Sequence, residues 1–270
     1  MPMRLALRPY STRICLERPD DIFVFGDNFQ RQGRGPKSGQ AIIRDMRNSV
    51  GLAVKHAPRL DAGAYLRDAD RDLFLEEVKR VHEIIAPHLR RGGTVWWPAD
   101  GIGTGRAELA RRAPDLHARL AHWSRGLFEK TGDMTYTSCI ICGGTNYNDR
   151  GAAWPALDDT LGRSLSQGSR LEILHSGGKG TGALAQGWAI DRDAVTTILR
   201  PDYRQHGDAA RERANLLLAA KLAARRDQAG AAAHVVAMPG GENTEHMLEI
   251  ARQNAFDITR IAEQSPEPAA

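Results

Sequence analysis

The feature that most constrains this chain is a repeated unit in which a short apolar run ends in glycines and precedes an amphipathic stretch. A short apolar run bounded by turn residues is typical of a buried strand, and a stretch with a helical apolar period is typical of a helix. Strands and helices that alternate in this way predict α/β layers on mostly parallel sheets. The length of 270 residues, 41% of them hydrophobic, allows one large domain or two small ones.

The apolar pattern predicts strands and helices along the whole chain. The predicted strands are 22–25, 51–55, 94–97, 136–142, 171–175, 194–199, 232–238 and 257–261. The predicted helices are 38–46, 70–88, 113–129, 152–166, 182–190, 209–224 and 244–254. Because a glycine-containing turn at 130–133 follows a helix and precedes a new strand, we expect two domains. Their predicted bounds are 1–132 and 133–265, with a polar tail at 266–270.

The net charge of +4 is mild, but its sign differs between the two halves. Residues 1–132 hold 23 Lys and Arg against 16 Asp and Glu, whereas residues 133–270 hold 14 against 17. The basic half suits an anionic ligand such as a nucleotide, or is a solvated Arg-rich surface. The basic residues are too dispersed to predict a nucleic-acid groove.

The cysteines and the N-terminus indicate a reducing compartment. No apolar run approaches the roughly 18 residues that span a bilayer, and MPMRLALRPYSTR has no signal-peptide core. We therefore expect a cytoplasmic location (the host cytoplasm if a phage encodes the protein) and reduced thiols at Cys15, Cys139 and Cys142. Cys139 and Cys142 have redox-motif spacing, but their apolar run predicts two buried strand cysteines. With no second cysteine pair, no zinc site is predicted.

Three strand ends in the second half carry glycine pairs. They are Gly143 and Gly144; Ser176, Gly177 and Gly178; and Pro239, Gly240 and Gly241. In a parallel sheet these loops meet at the carboxyl edge, where α/β folds bind ligands. Glycine allows the backbone to approach a phosphate, and a helix N-terminus offers free N–H groups. Four side chains add donors: Ser176, Lys179, Thr181 and Thr244. The alternative is that these are ordinary glycine turns.

The second half, over residues 136–262, resembles the SLOG superfamily of Rossmann-like domains, which includes cytokinin-activating phosphoribohydrolases (LOG enzymes) and bacterial DNA-uptake factors. The resemblance is carried by CGGTNYNDR from Cys142, by HSGGKG from His175 and by PGGENT from Pro239. A stretch from Gly207 through Arg213 to Asn215 resembles the AGPxRN stretch of one bacterial and phage branch. The resemblance implies nucleotide binding. The implied ligand residues are Gly143, Gly144, Ser176, Gly177, Gly178, Lys179, Arg213, Asn215, Pro239, Gly240, Gly241 and Thr244.

The third motif departs from that of LOG enzymes, which is PGGxGTxxE. Here Asn243 takes the place of the later glycine, and Met247 stands where the catalytic glutamate would be. Glu245 and Glu249 are each two residues away, which turns a helical side chain by about 200°. The departure therefore argues against phosphoribohydrolase chemistry, whereas nucleotide binding through backbone groups is less affected.

Two glycine-rich strand ends also occur in the first half. Asp27 and Asn28 end one predicted strand ahead of a loop with Gly33, Gly35 and Gly39. After the strand at 94–97 comes Pro98 and a turn that contains Asp100, Gly101, Gly103, Thr104 and Gly105. The pattern predicts a phosphate-bearing ligand, and the alternative is a tight turn without a ligand.

This half, over residues 18–128, resembles a macrodomain-like family that is common in phages and opens with VFGxNxxGxxGxGxA. The resemblance implies a three-layer α/β domain that binds ADP-ribose. The implied ligand residues are Gly26, Gly33, Gly35, Gly101, Gly103, Thr104 and Gly105. The resemblance also implies that Asn28 contacts the distal ribose. If the ligand is hydrolysed, we expect Asp27, Asn28 and Asp100 to be the catalytic residues, with Asp27 or Asp100 as the general base.

Together these patterns predict a protein that recognises an NAD-derived nucleotide such as ADP-ribose. If the protein is an enzyme, we expect it to hydrolyse that nucleotide. A non-catalytic sensor or sequestering protein is the alternative, and a nucleic-acid-associated protein is a third reading. The expected partner is a small-molecule nucleotide. We expect no binding to a membrane, and the sequence leaves open whether the protein forms a homo-oligomer. No cofactor beyond NAD or an ADP-ribose-like ligand is predicted. His175 contacts the ligand or is a satisfied strand-end histidine, and Trp96-Trp97 is interpreted as core.

Overall fold

The computed structural model describes residues 2–33 and 39–262, and the chain divides into two compact units. The first unit comprises Met1–Asp133 with Asp227–Gly230, and the second comprises Met134–Arg226 with Ala231–Ala270. Each contains one parallel sheet, so the predicted α/β class with two parallel-sheet domains is confirmed. Gly35 and the predicted tail at 266–270 lie outside the described residues.

The first unit contains a four-stranded parallel sheet in the order β1-β4-β2-β3. Its elements are β1 (Met3–Ala6), α1 (Thr12–Glu17), β2 (Ile22–Asp27), β3 (Ser49–Ala53), α2 (Arg71–Arg90), β4 (Val95–Pro98), α3 (Leu109–Arg112) and α4 (Pro114–Thr131).

Both faces of this sheet are covered, because successive side chains of a strand point to opposite faces. On one face Trp96 stacks on Phe23 at 6.2 Å, and Tyr10 meets Phe23 edge-on. On the other face Trp97 is fully buried and meets Trp123 of α4 at 5.9 Å between ring centroids. The adjacent tryptophans therefore serve two separate cores, which confirms that they are core residues.

The second unit contains a five-stranded parallel sheet in the order β7-β6-β5-β8-β9. Its elements are β5 (Tyr136–Cys142), α5 (Arg150–Ser166), β6 (Arg170–His175), α6 (Thr181–Asp191), β7 (Val195–Ile198), α7 (Tyr203–His206), α8 (Ala210–Ala229, of which the last three residues belong to the first unit), β8 (Ala232–Ala237), α9 (Glu242–Gln253) and β9 (Asp257–Arg260).

The two cysteines of β5 lie on opposite faces of this sheet. Cys139 packs in the core that contains Leu157 and Trp188, whereas Cys142 packs against the core that contains Leu222. Three residues apart on a strand, the two thiols cannot join in a disulfide or share a metal. Burial raises the pKa of Cys142 to about 12, so this thiol stays protonated at neutral pH. The interpretation as strand cysteines is confirmed.

A charged pair is buried on the face that α8 covers. Glu172 of β6 and Arg225 of α8 are 0% and 1% exposed. The guanidinium donates through Nε and Nη2 to the two carboxylate oxygens at 2.5 and 2.9 Å. Ser138 and Thr197 donate to the same carboxylate at 3.2 and 2.6 Å. The pair thus ties β5, β6, β7 and α8 together.

Several short elements were not predicted from the sequence. β1 has four residues and no apolar alternation, since three of its four side chains are buried. α1, α3 and α7 span six residues or fewer, which is too short for a helical period. The predicted helix at 38–46 was wrong in type, because its described part is a 3₁₀ helix at Gly39–Ile43. Across the described ranges, no helix is long and apolar enough to cross a membrane.

The buried pair generates a stability prediction. Arg225→Met should lower the free energy of unfolding by about 3–5 kcal/mol, because it leaves the Glu172 carboxylate buried without its countercharge. Arg252→Met is the matched control, since Arg252 is half-exposed in its pair with Glu249, and it should cost less than about 1 kcal/mol. Urea denaturation measures the unfolding free energy of both variants, and hydrogen exchange of the β5 and β6 amides is a second measurement of the same loss. Equal effects would contradict the prediction.

Candidate functional site

In the second unit the three glycine loops meet where the strand order reverses. The chain runs from β5 outward to β6 and β7, then returns to place β8 on the other side of β5. The carboxyl ends of β5 and β8 therefore flank a topological switch point, which is where open α/β sheets bind ligands. Gly143 and Gly144 follow β5, and Pro239 to Gly241 follow β8.

Gly144 links all three loops through its backbone. Its N–H donates to the Pro239 carbonyl at 2.9 Å, and its own carbonyl accepts from the N–H and the hydroxyl of Thr181, each at 3.1 Å. A Cβ on Gly240 would lie 2.7 Å from the Gly144 nitrogen, and one on Gly180 would lie 2.6 Å from the Gly144 oxygen. These glycines are required for loop-on-loop packing, whether or not a ligand binds.

Gly178 and Gly241 have a different environment. A Cβ on either would meet nothing within 4 Å among the described atoms. Gly178 has a φ of +87°, which an L residue rarely adopts, whereas Gly241 is in the extended region with a φ of −96°. Gly241 is therefore the position at which a side chain can be added to the edge with little strain.

Two helices begin at this edge with glycine caps. Gly180 precedes α6 and Gly241 precedes α9, and in the described part of the chain neither helix has a side-chain cap. By contrast, the Asp149 carboxylate accepts from the Ala152 N–H at 2.9 Å and caps α5. The positive ends of both helix dipoles thus lie at the edge, where the first N–H of α6, that of Thr181, already donates to the Gly144 carbonyl. The N–H groups that follow it in the first turns have no partner within their own helices.

The remaining predicted residues of this unit differ in exposure. Lys179 and Arg213 are exposed, Ser176 is partly buried and Thr244 is buried. Asn215 is buried, and its amide donates to the carbonyl of Asn243 at 3.0 Å and lies 3.3 Å from His246 Nδ1. It therefore fixes the first turn of α9 to α8.

In the first unit β2 and β4 pair along only part of their length. These strands pair only at Ile22 and Phe23 and then diverge, although β2 continues to Asp27. Beyond the divergence the Gln40 amide bridges the strands' continuations: its oxygen accepts from Gly26 N–H at 2.9 Å, and its nitrogen donates to the Gly101 carbonyl at 2.7 Å. The structure thus brings the predicted loops after β2 and β4 together.

Asp27 lies in a network of ion pairs. Its side chain is 1% exposed and pairs with Arg44, whose Nε donates at 3.2 Å, and with Arg31 at 3.3 Å. Arg31 continues to Glu77 at 2.7 Å, which also pairs with Arg80 at 2.9 Å. The Asp27 carboxylate therefore already accepts from two guanidinium groups of the same unit.

Glu77 is the second buried acid of this network. Burial would raise its pKa, but hydrogen bonds from Arg80, the Ala53 N–H and Arg31 overcome that effect and hold the pKa below its ordinary value. Sequence reasoning missed Glu77, although a signal existed: it lies between Phe74 and Val81 on the buried face of α2. A charged residue in an apolar stripe indicates a buried partner.

Asn28 and the turn after β4 make hydrogen bonds within the protein. The Asn28 amide donates to the Gln32 carbonyl at 2.8 Å and closes the loop after β2. Asp100 is exposed, and its backbone carbonyl accepts a hydrogen bond from the Thr104 hydroxyl at 2.6 Å. Within the same unit, buried Gln228 accepts from the Ile102 N–H and donates to the Ile102 carbonyl, each at 2.8 Å.

The glycines of these two loops are close to neighbouring side chains. A Cβ on Gly103 would lie 2.8 Å from the Leu109 side chain, and one on Gly33 would lie 3.2 Å from Pro58. Gly105 is exposed, with open space where a Cβ would be. The catalytic and ligand roles predicted for the first unit remain predictions.

The comparisons with known families separate the two halves. Residues 137–206 match the YspA, cpYpsA-related SLOG family. The SLOG resemblance is thereby confirmed for the region that holds the first two glycine loops. Residues 7–123 match a family of unknown function (DUF7831), which gives no support to the macrodomain resemblance. Searches of curated proteins and of solved structures found no significant match.

The departures from the LOG motif have structural counterparts in α9, beyond the SLOG match. Met247 is fully buried in the core, so the place of the LOG glutamate holds an apolar anchor. Glu245 is held by both terminal nitrogens of Arg260 at 2.9 and 2.8 Å, which lowers its pKa. Glu249 pairs with Arg252 on the exposed side of the helix.

The Asp27 network generates a stability prediction. Asp27→Asn should cost about 3–5 kcal/mol of unfolding free energy, since it leaves buried Arg44 without its countercharge. Asp133→Asn, in the exposed pair with Arg4, is the control and should cost less than about 1 kcal/mol. Thermal unfolding of the two variants measures the difference. An unchanged stability of Asp27→Asn would show that the network does not hold the fold.

The two adjacent glycines of the third loop generate a second prediction. Gly240→Ala should destabilise the second unit, because its Cβ would push against the Gly144 nitrogen and Thr244. Gly241→Ala should change the unfolding free energy by less than about 1 kcal/mol, as expected at an open N-cap. The comparison uses denaturation of both variants under identical conditions. Equal losses would contradict the loop packing described above.

Proposed function

We propose that the second unit binds the phosphate groups of a nucleotide at the carboxyl edge between β5 and β8. The observation that carries the proposal is that α6 and α9 both begin there with glycine caps and no side-chain cap among the described residues. Backbone N–H groups at two helix N-termini are suited to a phosphate. The match of residues 137–206 to a SLOG family supports a nucleotide-related role.

The predicted side chains complete this site in the proposal. Lys179 is exposed in the loop before α6, and Arg213 is exposed on α8; each supplies positive charge toward a phosphate. Ser176 and Thr244 supply hydroxyl groups. Gly143, Gly144, Gly177, Gly178, Pro239, Gly240 and Gly241 supply backbone, and Asn215 supports α9.

The ligand that we propose is an NAD-derived nucleotide of the ADP-ribose type. The first unit is proposed to contribute recognition of the same chemistry through the loops after β2 and β4. We propose domain bounds of 1–132 and 133–265. The residues proposed to contact the ligand in the first unit are Gly26, Asp27, Asn28, Gly33, Asp100, Gly101, Gly103, Thr104 and Gly105. Divergent strands bridged by Gln40 support a crevice there.

We propose that the protein binds its ligand without turnover, and two features of its side chains support this. Met247 is apolar and buried where LOG enzymes have their glutamate, and Asp27 is paired with Arg44 and Arg31. A general base needs a free lone pair to accept a proton, and the Asp27 oxygens already accept from two arginines. A sensor or sequestering protein is therefore proposed ahead of a hydrolase. Recovery of intact ADP-ribose after long incubation with the protein would support this order, and release of a hydrolysis product would reverse it.

A matched pair of variants tests the phosphate site. Gly241→Val should abolish stabilisation by ADP-ribose, because its side chain occupies the edge between the loops. Gly162→Val is the control, since its Cβ position in α5 is also open. For wild type and control, a ligand at 100 times its Kd should add about 2.7 kcal/mol of stability. Thermal-shift assays with ADP-ribose, NAD and AMP measure this effect.

Two outcomes would contradict the proposal. One is the absence of any shift in wild type with all three nucleotides. The other is a normal shift in a folded Gly241→Val variant, which would place the ligand elsewhere.

A further inference from the structure

We propose that His175 is a positioning residue, whose neutral imidazole holds the loop at 176–180 in the conformation that receives phosphate. This inference rests on the proposed nucleotide function of the second unit. It concerns a residue that is not among the proposed ligand contacts. Two observations carry it: the hydrogen bonds of the ring and the packing of Gly177.

The ring of His175 connects the start of the loop to the helix that follows. His175 ends β6 and is 1% exposed. The Gly177 N–H donates to its Nδ1 at 3.1 Å, and its Nε2 lies 3.1 Å from Gln186 Oε1 on α6. Because Nδ1 accepts, the proton of the neutral ring is on Nε2, where it is donated to Gln186. The two contacts together require one tautomer.

The position of Gly177 in turn determines where α6 begins. Gly177 has a φ of +74°, and a Cβ on Gly182 would lie 2.6 Å from the Gly177 carbonyl carbon. The first turn of α6 therefore rests directly on the Gly177 backbone. A shift of Gly177 would move the N–H groups that we assign to the phosphate.

Protonation of His175 would break this arrangement. Both ring nitrogens of a histidinium are donors, so Nδ1–H would face the Gly177 N–H. Burial lowers the pKa of His175 from its ordinary 6.5, opposed by the hydrogen bond with Gln186. A lowered pKa means that the stability contributed by the neutral ring is present above pH 6.5. It is lost as the pH falls through the folded-state pKa.

The side chain that α6 presents to the ring is the uncharged Gln186. Lys179 lies in the loop itself, and Arg200, which follows β7, packs against Gly177. On α5, Asp158 is paired with Arg192. Because protonation of the ring removes the acceptor of the Gly177 N–H, we expect the loop to be ordered for binding at neutral pH and released in acid.

The first experiment needs no ligand. Long-range ¹H–¹⁵N spectra of the full chain, labelled at histidine, report the tautomer, and amide exchange reports the Gly177 N–H. We expect the Nε2–H tautomer in wild type and slow Gly177 exchange that becomes fast in His175→Leu. His175→Asn should keep slow exchange, because the asparagine oxygen can replace Nδ1 as acceptor. An Nδ1–H tautomer, or equal exchange in both variants, would overturn the proposal.

The second experiment measures binding of ADP-ribose by calorimetry between about pH 4 and pH 8, a range that reaches well below the ordinary histidine pKa because burial lowers that of His175. In wild type the affinity should fall about tenfold toward acid, as for one lost hydrogen bond. His175→Asn should bind at neutral pH without this pH dependence, and His175→Leu should bind about tenfold more weakly throughout. His234→Asn, at a strand histidine of the same sheet, should behave as wild type.

The two experiments separate this inference from the proposed function. No binding of ADP-ribose, with the expected tautomer and exchange, would overturn the proposed ligand but support the role of His175 in the loop. Binding that is independent of pH in wild type, or identical in the asparagine and leucine variants, would overturn the positioning role.

Discussion

Both sheets depend on one constraint of parallel strands: every connection must cross a face of the sheet, so the order in which strands are added can reverse. It reverses between β5 and β8 in the second unit and between β2 and β4 in the first. At such a point the two adjacent loops leave in opposite directions, and the strand ends between them stay open to a ligand. The glycine loops of the second unit lie at the reversal between β5 and β8, and Gln40 of the first unit lies at the reversal between β2 and β4.

The charged residues inside the two units serve this geometry. Glu172 with Arg225, and Asp27 with Arg44, are acids and bases whose side chains are almost fully buried. A buried ion is tolerated only when its countercharge and hydrogen bonds are in place. Each pair therefore allows one arrangement of the elements that it joins. In the first unit such a pair lies at the carboxyl end of β2, which Asp27 ends, so this edge does not depend on loop packing alone.

The site of the second unit is formed by backbone more than by side chains. Gly144 links three loops, and α6 and α9 begin without side-chain caps in the described ranges. Such a site suits the phosphates of a ligand and requires little from a catalytic acid or base. The burial of Met247 and the ion pairs of Asp27 agree with this reading.

The sequence by itself determined the α/β class, most of the longer strands and helices and the glycine loops, because these depend on local periodicity and on residues with special backbone freedom. It did not determine β1, whose four residues become a strand only by pairing with β4. Nor did it reveal that Asn28 and Asn215 make hydrogen bonds within the protein. Only the tertiary structure decided which glycines pack against other loops, as Gly240 does, and which face open space, as Gly241 does. The reason is that the neighbours of a glycine in these loops come from distant parts of the chain, and only the completed sheet brings them together.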